Sequence, residues 1–176
     1  DETHAMMNSE QLAKANELIR NSNKVVIYGA GSSGLVGKEL EYQLIKIKKD
    51  VSCHLDYSIQ FSIVNTLDKH DLLIIISHSG ENQDGVKLLT LAQQLGVPSI
   101  AITKMGQSRI SGLADVLLHT ISTESVSRLI PIRSKISQLS VINMLVTNLF
   151  IQQYDERLLK QTQTRAERFY NQNNKP

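Results

Sequence analysis

The sequence predicts an α/β domain of three layers, with helices on both faces of a five-stranded parallel sheet. Three observations predict it. Short aliphatic runs alternate along the chain with stretches of helical apolar periodicity. The run Leu72–Ile76 is aliphatic without a break, which calls for burial on both faces, as in a parallel sheet. Two strand-to-helix junctions, Gly29–Gly34 and Ser77–Asn82, are made of small and polar residues, as expected where a strand's carboxyl end opens a helix.

Taken in order, Ser9 is placed to cap a helix running to about Asn21, with Leu12, Leu18 and Ile19 on one stripe. Lys24–Tyr28 is a first strand. The glycine-rich turn leads into a helix to about Lys48, with Leu35, Val36, Leu40, Leu44 and Ile47 on one side. Val51–Leu55 is a second strand and Ser58–Val64 a short helix. Asp71–Ile76 is the third strand. Gln83–Leu95 is a helix ended by Gly96 and Pro98. Pro98–Thr103 and Val116–His119 are the last two strands, with a helical turn expected at Ser108–Leu113 between them. A loop from Thr120 leads to the longest helix, Arg133 to about Gln153. Its apolar positions cover more than one stripe, which predicts burial on two sides, across the core or in an oligomer interface.

Asp1–Met6 is polar, irregular and ahead of a second Met, and is set aside as an appended scar. The domain is expected over 7–154, followed by a charged helical tail over 155–176 that frays from Asn171 onward.

Composition narrows the function. The 176 residues carry 19 basic and 17 acidic side chains, a net charge of +2, and no basic patch of the kind a nucleic-acid-binding domain uses. Aromatics make up 5% of the chain with no Trp, too few for a base-stacking platform. Cys53, the single cysteine, lies in an apolar run and reads as a buried small hydrophobe. No apolar stretch reaches the ~20 residues of a membrane span, and no secretory leader precedes Ser9, so a cytoplasmic protein is expected. No His, Cys or Asp cluster has metal-ligand spacing, and no cofactor is expected.

The two junctions carry the chemistry. Helix-opening amides without intrahelical partners, together with the helix dipole, favour an anion. At Ser77-His78-Ser79-Gly80-Glu81-Asn82 two hydroxyls and an amide add side-chain donors, and the same residues also serve turn formation and capping. Gly29-x-Gly31-x-x-Gly34 has the spacing of a dinucleotide fingerprint, and Asp56 stands about where a ribose-binding acid belongs. A dinucleotide-binding oxidoreductase is therefore one alternative. It needs no hydroxyls at Ser32 and Ser33, however, and it leaves the second loop unexplained. Two hydroxyl-bearing loops on one rim suit a phosphate monoester better: Ser33, Ser77, Ser79 and Asn82 donate, with backbone N–H groups around His78. Neither loop holds a Lys or Arg, so direction and fit must do what net charge does elsewhere.

Together, Gly29–Ser33 and Ser77–Asn82 resemble the two signatures of the sugar isomerase (SIS) domain, and the resemblance runs from about Ser9 to Phe150. It implies a flavodoxin-like parallel sheet, dimerisation or a higher homo-oligomer, and phosphosugar binding. It places Ser33, Ser77, Ser79 and Asn82 on the family's phosphate contacts, with Asn82 in place of a more usual threonine. The stretches Gly31–Val36 and Ser134–Leu139 resemble the RpiR/MurR-type transcription regulators. Those join a SIS domain that senses a sugar phosphate to an N-terminal helix-turn-helix domain. This implies a sugar phosphate effector and contact with DNA only through such a domain, which no segment here supplies.

Aldose–ketose isomerisation needs a base near the sugar's first two carbons. Where the SIS isomerase half of glucosamine-6-phosphate synthase resembles this chain with a glutamate, Gln138 stands, and Gln138 cannot take a proton. The expectation is a sensor without catalytic residues, with a sugar-phosphate isomerase as the main alternative. Ser32, Asp56, Glu124, Lys135 and Gln138, with Arg128, are expected over the rim, where they would meet the sugar.

Overall fold

The structure is a computed structural model that describes residues 9–120, 132–153 and 164. Its elements are α1 (Ser9–Asn21), β1 (Lys24–Gly29), α2 (Ser32–Lys46), β2 (Asp50–Cys53), α3 (Tyr57–Val64), β3 (Leu72–Ile76), α4 (Gln83–Leu95), β4 (Ser99–Lys104), β5 (Val116–Thr120) and α5 (Ile132–Gln153). The five strands form one parallel sheet in the order β2-β1-β3-β4-β5. The expected α/β architecture and its flavodoxin-like order are what the structure has.

Period-two alternation sorts the strand side chains onto two faces. Val25 and Ile27 of β1, with Leu72, Ile74 and Ile76 of β3, face α1, α2 and α5. Val26 and Tyr28, with Leu73 and Ile75, face α3 and α4. All of β3 is buried, as its unbroken aliphatic run requires.

Both outer strands have a backbone N–H covered by a helix side chain. Cys53 N–H donates to Glu41 Oε1 at 2.8 Å, and Leu117 N–H donates to Gln11 Oε1 at 3.1 Å. Such cover blunts edge-to-edge association.

Two expectations change. β2 ends at Cys53 rather than Leu55. There the fully buried Gln60 inserts its amide, accepting from His54 N–H at 3.2 Å and donating to the Ile27 carbonyl at 3.1 Å. Beyond Cys53 one side chain thereby takes the place of further β1–β2 pairing. In α2, Leu35 is 52% exposed, and the buried stripe is Ser33, Gly37, Leu40 and Leu44 together with Val36. Gly37 lets the helix approach Ile27 and Cys53, where an added Cβ would come within 2.9 Å of the Cys53 sulfur. Ser108–Leu113 is the expected helical turn: Gly112 N–H donates to the Ser108 carbonyl at 3.0 Å and Ala114 N–H to that of Ile110 at 3.2 Å, while Ser108 and Ser111 accept each other's backbone N–H. One side of α5 packs onto α1, α2 and the sheet through Val141, Ile142, Leu145 and Leu149, while Ile136 and Ile151 are 57% and 77% exposed. The expected tail over 155–176 lies outside the described residues apart from Thr164.

Burial pushes the Cys53 thiol up to about 11, with Glu41 adding to the rise and Lys38 opposing it. The thiol therefore stays protonated at pH 8, and the reactive thiolate is scarce. Iodoacetamide should leave native Cys53 unmodified over hours at pH 8 and label it at the free-thiol rate in denaturant. Fast labelling of the native protein would contradict the buried placement.

Candidate functional site

The register of β1 and β3 builds the site. Gly29 lies across from Ile76, so the carboxyl ends of β1 and β3 finish level, while β4, whose Ile102 lies across from Ile76, runs two residues further to Lys104. Past that line the chain from β1 turns onto one face to form α2, while the chain from β3 turns onto the other to form α4. Strand order also reverses here, and the resulting crevice is where ligands enter such sheets.

The first loop is tight. An added Cβ at Gly29 would sit 2.6 Å from the Ser33 carbonyl oxygen, and one at Gly34 would sit 2.6 Å from that of Gly29. Ser33 N–H donates to the Ala30 carbonyl at 3.1 Å and Gly34 N–H to the Gly31 carbonyl at 3.0 Å. Two amides that a pyrophosphate would want are thus used inside the turn. Asp56 is exposed and caps α3, accepting from Ile59 N–H at 3.0 Å. Neither observation supports the dinucleotide alternative.

Ser33 is buried and meets Gln138 of α5. Gln138 Nε2 donates to Ser33 Oγ at 3.0 Å, while the reverse contact, Ser33 Oγ to Gln138 Oε1, is longer at 3.4 Å. Gln138 is 1% exposed. Two residues 105 positions apart are joined here.

In the second loop each side-chain oxygen accepts a local N–H. Ser77 Oγ accepts from Gly80 at 3.3 Å, Ser79 Oγ from Glu81 at 3.2 Å, and Asn82 Oδ1 from Gly85 at 2.8 Å. The turn and capping roles are therefore real, and they direct the ligand role. With their oxygens so engaged, the hydroxyl protons of Ser77 and Ser79 and the Nδ2 of Asn82 remain to donate outward. The N–H groups of Gln83 and Asp84, in the first turn of α4, also lack intrahelical partners.

The loop is held from below by a segment that sequence reasoning did not assign to the site. The His78 carbonyl accepts from Lys104 N–H at 3.1 Å and from Thr103 Oγ1 at 3.4 Å. The Gly80 carbonyl accepts from Ile110 N–H at 3.0 Å. Glu81, a candidate acid only by its position, spends its carboxylate on Arg109 N–H at 3.1 Å. Lys104 and Arg109 thus stand next to a loop that has no cation of its own. Their nearness follows from register and turn geometry, which no local sequence pattern announces.

Across the crevice, burial and then the neighbouring Asp84 carboxylate raise the pKa of the Tyr28 hydroxyl. That contact ties the end of β1 to the first turn of α4.

Ser32 and Lys135 are partly exposed, in the first turns of α2 and α5. Glu124 and Arg128 lie outside the described residues. Ser134 and Ser137 are buried beside Gln138 on the turns of α5 that open the helix. Among the described residues no group of His, Cys, Asp and Glu could hold a metal ion, and no helix is long and apolar enough to cross a membrane.

Fold and rim together define a doubly wound α/β domain with a crevice lined by neutral hydrogen-bond donors. Residues 18–148 match the model of the SIS domain, and the chain belongs to that family. It is 32% identical over 155 residues to the HTH-type transcriptional regulator YbbH of Bacillus subtilis, covering 88% of this chain and 55% of that protein. The chain spans about half the length of the curated relatives it matches. Its fold is that of the Vibrio vulnificus NanR protein complexed with ManNAc-6P (TM-score 0.82, 23% identity, 94% of this chain and 62% of that one). It is also similar to a putative phosphosugar isomerase from Bacteroides fragilis (TM-score 0.73, 26% identity, 86% of this chain and 84% of that one).

Gly80 combines a φ of +72° with a clash, since an added Cβ would lie 2.1 Å from Ser108 Oγ. Gly80→Ala should lower unfolding stability in urea by about 1–3 kcal/mol. A midpoint equal to that of the wild type would show that the loop does not rest on the Ser108 turn.

Proposed function

We propose that this chain is the effector-sensing domain of a transcription regulator and that it binds a sugar phosphate in the crevice between β1 and β3. The observation that carries the reading is the convergence of Ser33, Ser77, Ser79 and Asn82 on one rim, each oxygen accepting a hydrogen bond from the protein. The phosphate accepts from those four side chains and from backbone N–H groups around His78 and at the start of α4. Ser32, Asp56, Glu124 and Lys135 are the residues assigned to the sugar side, while Gln138, expected there too, meets Ser33 instead. The sensing domain spans 7–154, and 155–176 is a tail.

Sequence similarity to an HTH-type regulator supports the regulatory setting. The fold shared with NanR, whose structure was determined with ManNAc-6P, supports the ligand class. DNA is contacted through a helix-turn-helix segment outside this sequence. The exposed Ile136 and Ile151 on α5 support a homodimer or higher homo-oligomer, in keeping with the apolar excess on that helix. A cytoplasmic setting follows from the regulatory role.

Catalysis is not part of the proposal. Gln138 offers an amide where an isomerase wants a carboxylate, and Glu81 is bound to a backbone N–H. The isomerase reading keeps one specific support, the fold shared with a putative phosphosugar isomerase at 26% identity. Proton NMR of hexose 6-phosphates incubated with the protein separates the two. The sensor reading expects no turnover above background, and a ketose product would replace it with the isomerase.

A thermal-shift panel of sugar phosphates should find at least one that raises the melting temperature saturably. Ser79→Ala should then weaken that ligand by about ten- to a hundredfold, the loss expected for a hydrogen bond to a charged group. Asn82→Asp separates capping from binding. An aspartate caps as well as an asparagine, so stability should stay within about 0.5 kcal/mol, while a carboxylate facing the phosphate should abolish binding. Retained affinity in that variant would remove Asn82 from the site.

A further inference from the structure

We infer that Gln138 is a positioning residue: it touches Ser33 rather than the ligand, and by donating to Ser33 Oγ it keeps the Ser33 proton free for an ester group bound in its fully deprotonated form. The inference rests on the sugar-phosphate reading above and deepens it by naming the ionisation state the site accepts.

The geometry is direct. Ser33 and Gln138 are both buried, and the shorter of their two contacts has Gln138 Nε2 as donor, at 3.0 Å against 3.4 Å. A serine oxygen that accepts from an amide turns its own proton elsewhere, here toward the crevice. The same arrangement recurs at Ser77, Ser79 and Asn82, each accepting one protein N–H. The carbonyls of His78 and Gly80 and the carboxylate of Glu81 are engaged by Lys104, Thr103, Ile110 and Arg109. Both loops therefore present donors before acceptors. A proton on the ligand's ester group would face another proton, so the dianion of a phosphate monoester is favoured over its monoanion. A sulfate ester, which carries no proton, fits the same donors.

An amide at position 138 is what allows this. A carboxylate in its place can only accept, so it would take the Ser33 proton and leave lone pairs facing the anion. Buried as Gln138 is, an introduced carboxyl would also ionise late, within the range where protein and ligand are handled. Gln138→Glu should therefore cancel or reverse the pH dependence of binding.

The test uses the full chain and three probes: N-acetylmannosamine 6-phosphate, glucosamine 6-phosphate and glucose 6-phosphate. The one that binds the wild type most tightly is paired with the 6-sulfate of the same sugar. Affinity is measured by calorimetry from pH 5 to pH 7. A phosphate monoester loses its second proton near pH 6, so wild-type affinity for the phosphate should rise about tenfold over that range. The sulfate has no proton to lose in that range. Its profile reports the protein's own titrating groups on the neighbouring elements, His78 and Glu81 in the second loop, His54 and Asp56 after β2, His119 on β5 and Lys135 on α5, and the slope for the phosphate is read against it.

For Gln138→Glu, affinity for the sulfate should fall with rising pH by about tenfold or more relative to the wild type, as the introduced carboxyl ionises beside the bound anion, and for the phosphate the same loss should cancel or outweigh the rise. Gln138→Met, which neither donates nor accepts, should weaken both esters and keep the upward slope for the phosphate. A merely structural role for Gln138 would move stability without cancelling or reversing a slope. Melting temperatures and far-UV circular dichroism show whether each variant is folded, and if Gln138→Glu is not, the Gln138→Met profile alone decides. An upward slope for the phosphate with Gln138→Glu, or wild-type affinity for Gln138→Met, overturns the positioning role. Failure of all three sugar phosphates to bind the wild type overturns the functional reading itself, a different result from either.

Discussion

The pairing of β1 with β3 is the constraint on which the molecule depends. Their register sets Gly29 level with Ile76 and so brings two loops, separated by more than forty residues of sequence, to one edge of the sheet. That register is fixed by hydrophobic alternation: slipping β3 by one residue would exchange its two faces and set Leu73 and Ile75 against the wrong helices. The tight packing of Gly29 against Ser33 then sends the chain onto one face. Asn82, capping α4, sends the other chain the opposite way. The crevice is what remains where the two diverge, and the residues that make it are also the residues that hold the fold together there.

A site built this way would hold an anion without cations in its loops. Helix-start amides, hydroxyl protons and a side-chain amide are dipoles fixed by the fold, and they lose little freedom when an anion arrives. Most of them are also bonded to the protein, so their direction is set beforehand. Shape and hydrogen-bond sense then govern recognition. Lys104 and Arg109 lie close to the second loop through their backbones.

The legibility of the molecule in its sequence follows the range of the interactions. β3 was readable because five adjacent aliphatics admit no one-sided strand. Both loops were readable because turn, cap and donor lie within six consecutive residues. What could not be read was set by distant partners. Gln60 shortens β2 by bridging to Ile27, a residue 33 positions away. Leu35 fits the apolar spacing of α2, yet the helix meets the sheet through Gly37, and close backbone approach rotates Leu35 outward. Gln138 was singled out for the chemistry it lacks, but its contact with Ser33, across 105 positions, exists only in the folded chain.

That contact also bears on how a domain of this kind would report what it holds. α5 begins at the site with Ser134, Ser137 and Gln138, and its later turns pack on α1, where Asn16 Nδ2 donates to Asn148 Oδ1 at 2.8 Å. One rigid helix therefore touches both the crevice and the chain's first helix. Spatial continuity is not coupling, since a ligand shifts an arrangement only by as much as it prefers it over another. The Ser33–Gln138 pair is where such a preference would act. The amide already donates to Ser33 before any anion arrives, so the serine proton is aimed in advance. A carboxylate in that place has no proton to give. An amide at this position thus gives up proton-transfer chemistry and keeps a donor on Ser33, an arrangement that suits holding an anion better than moving a proton.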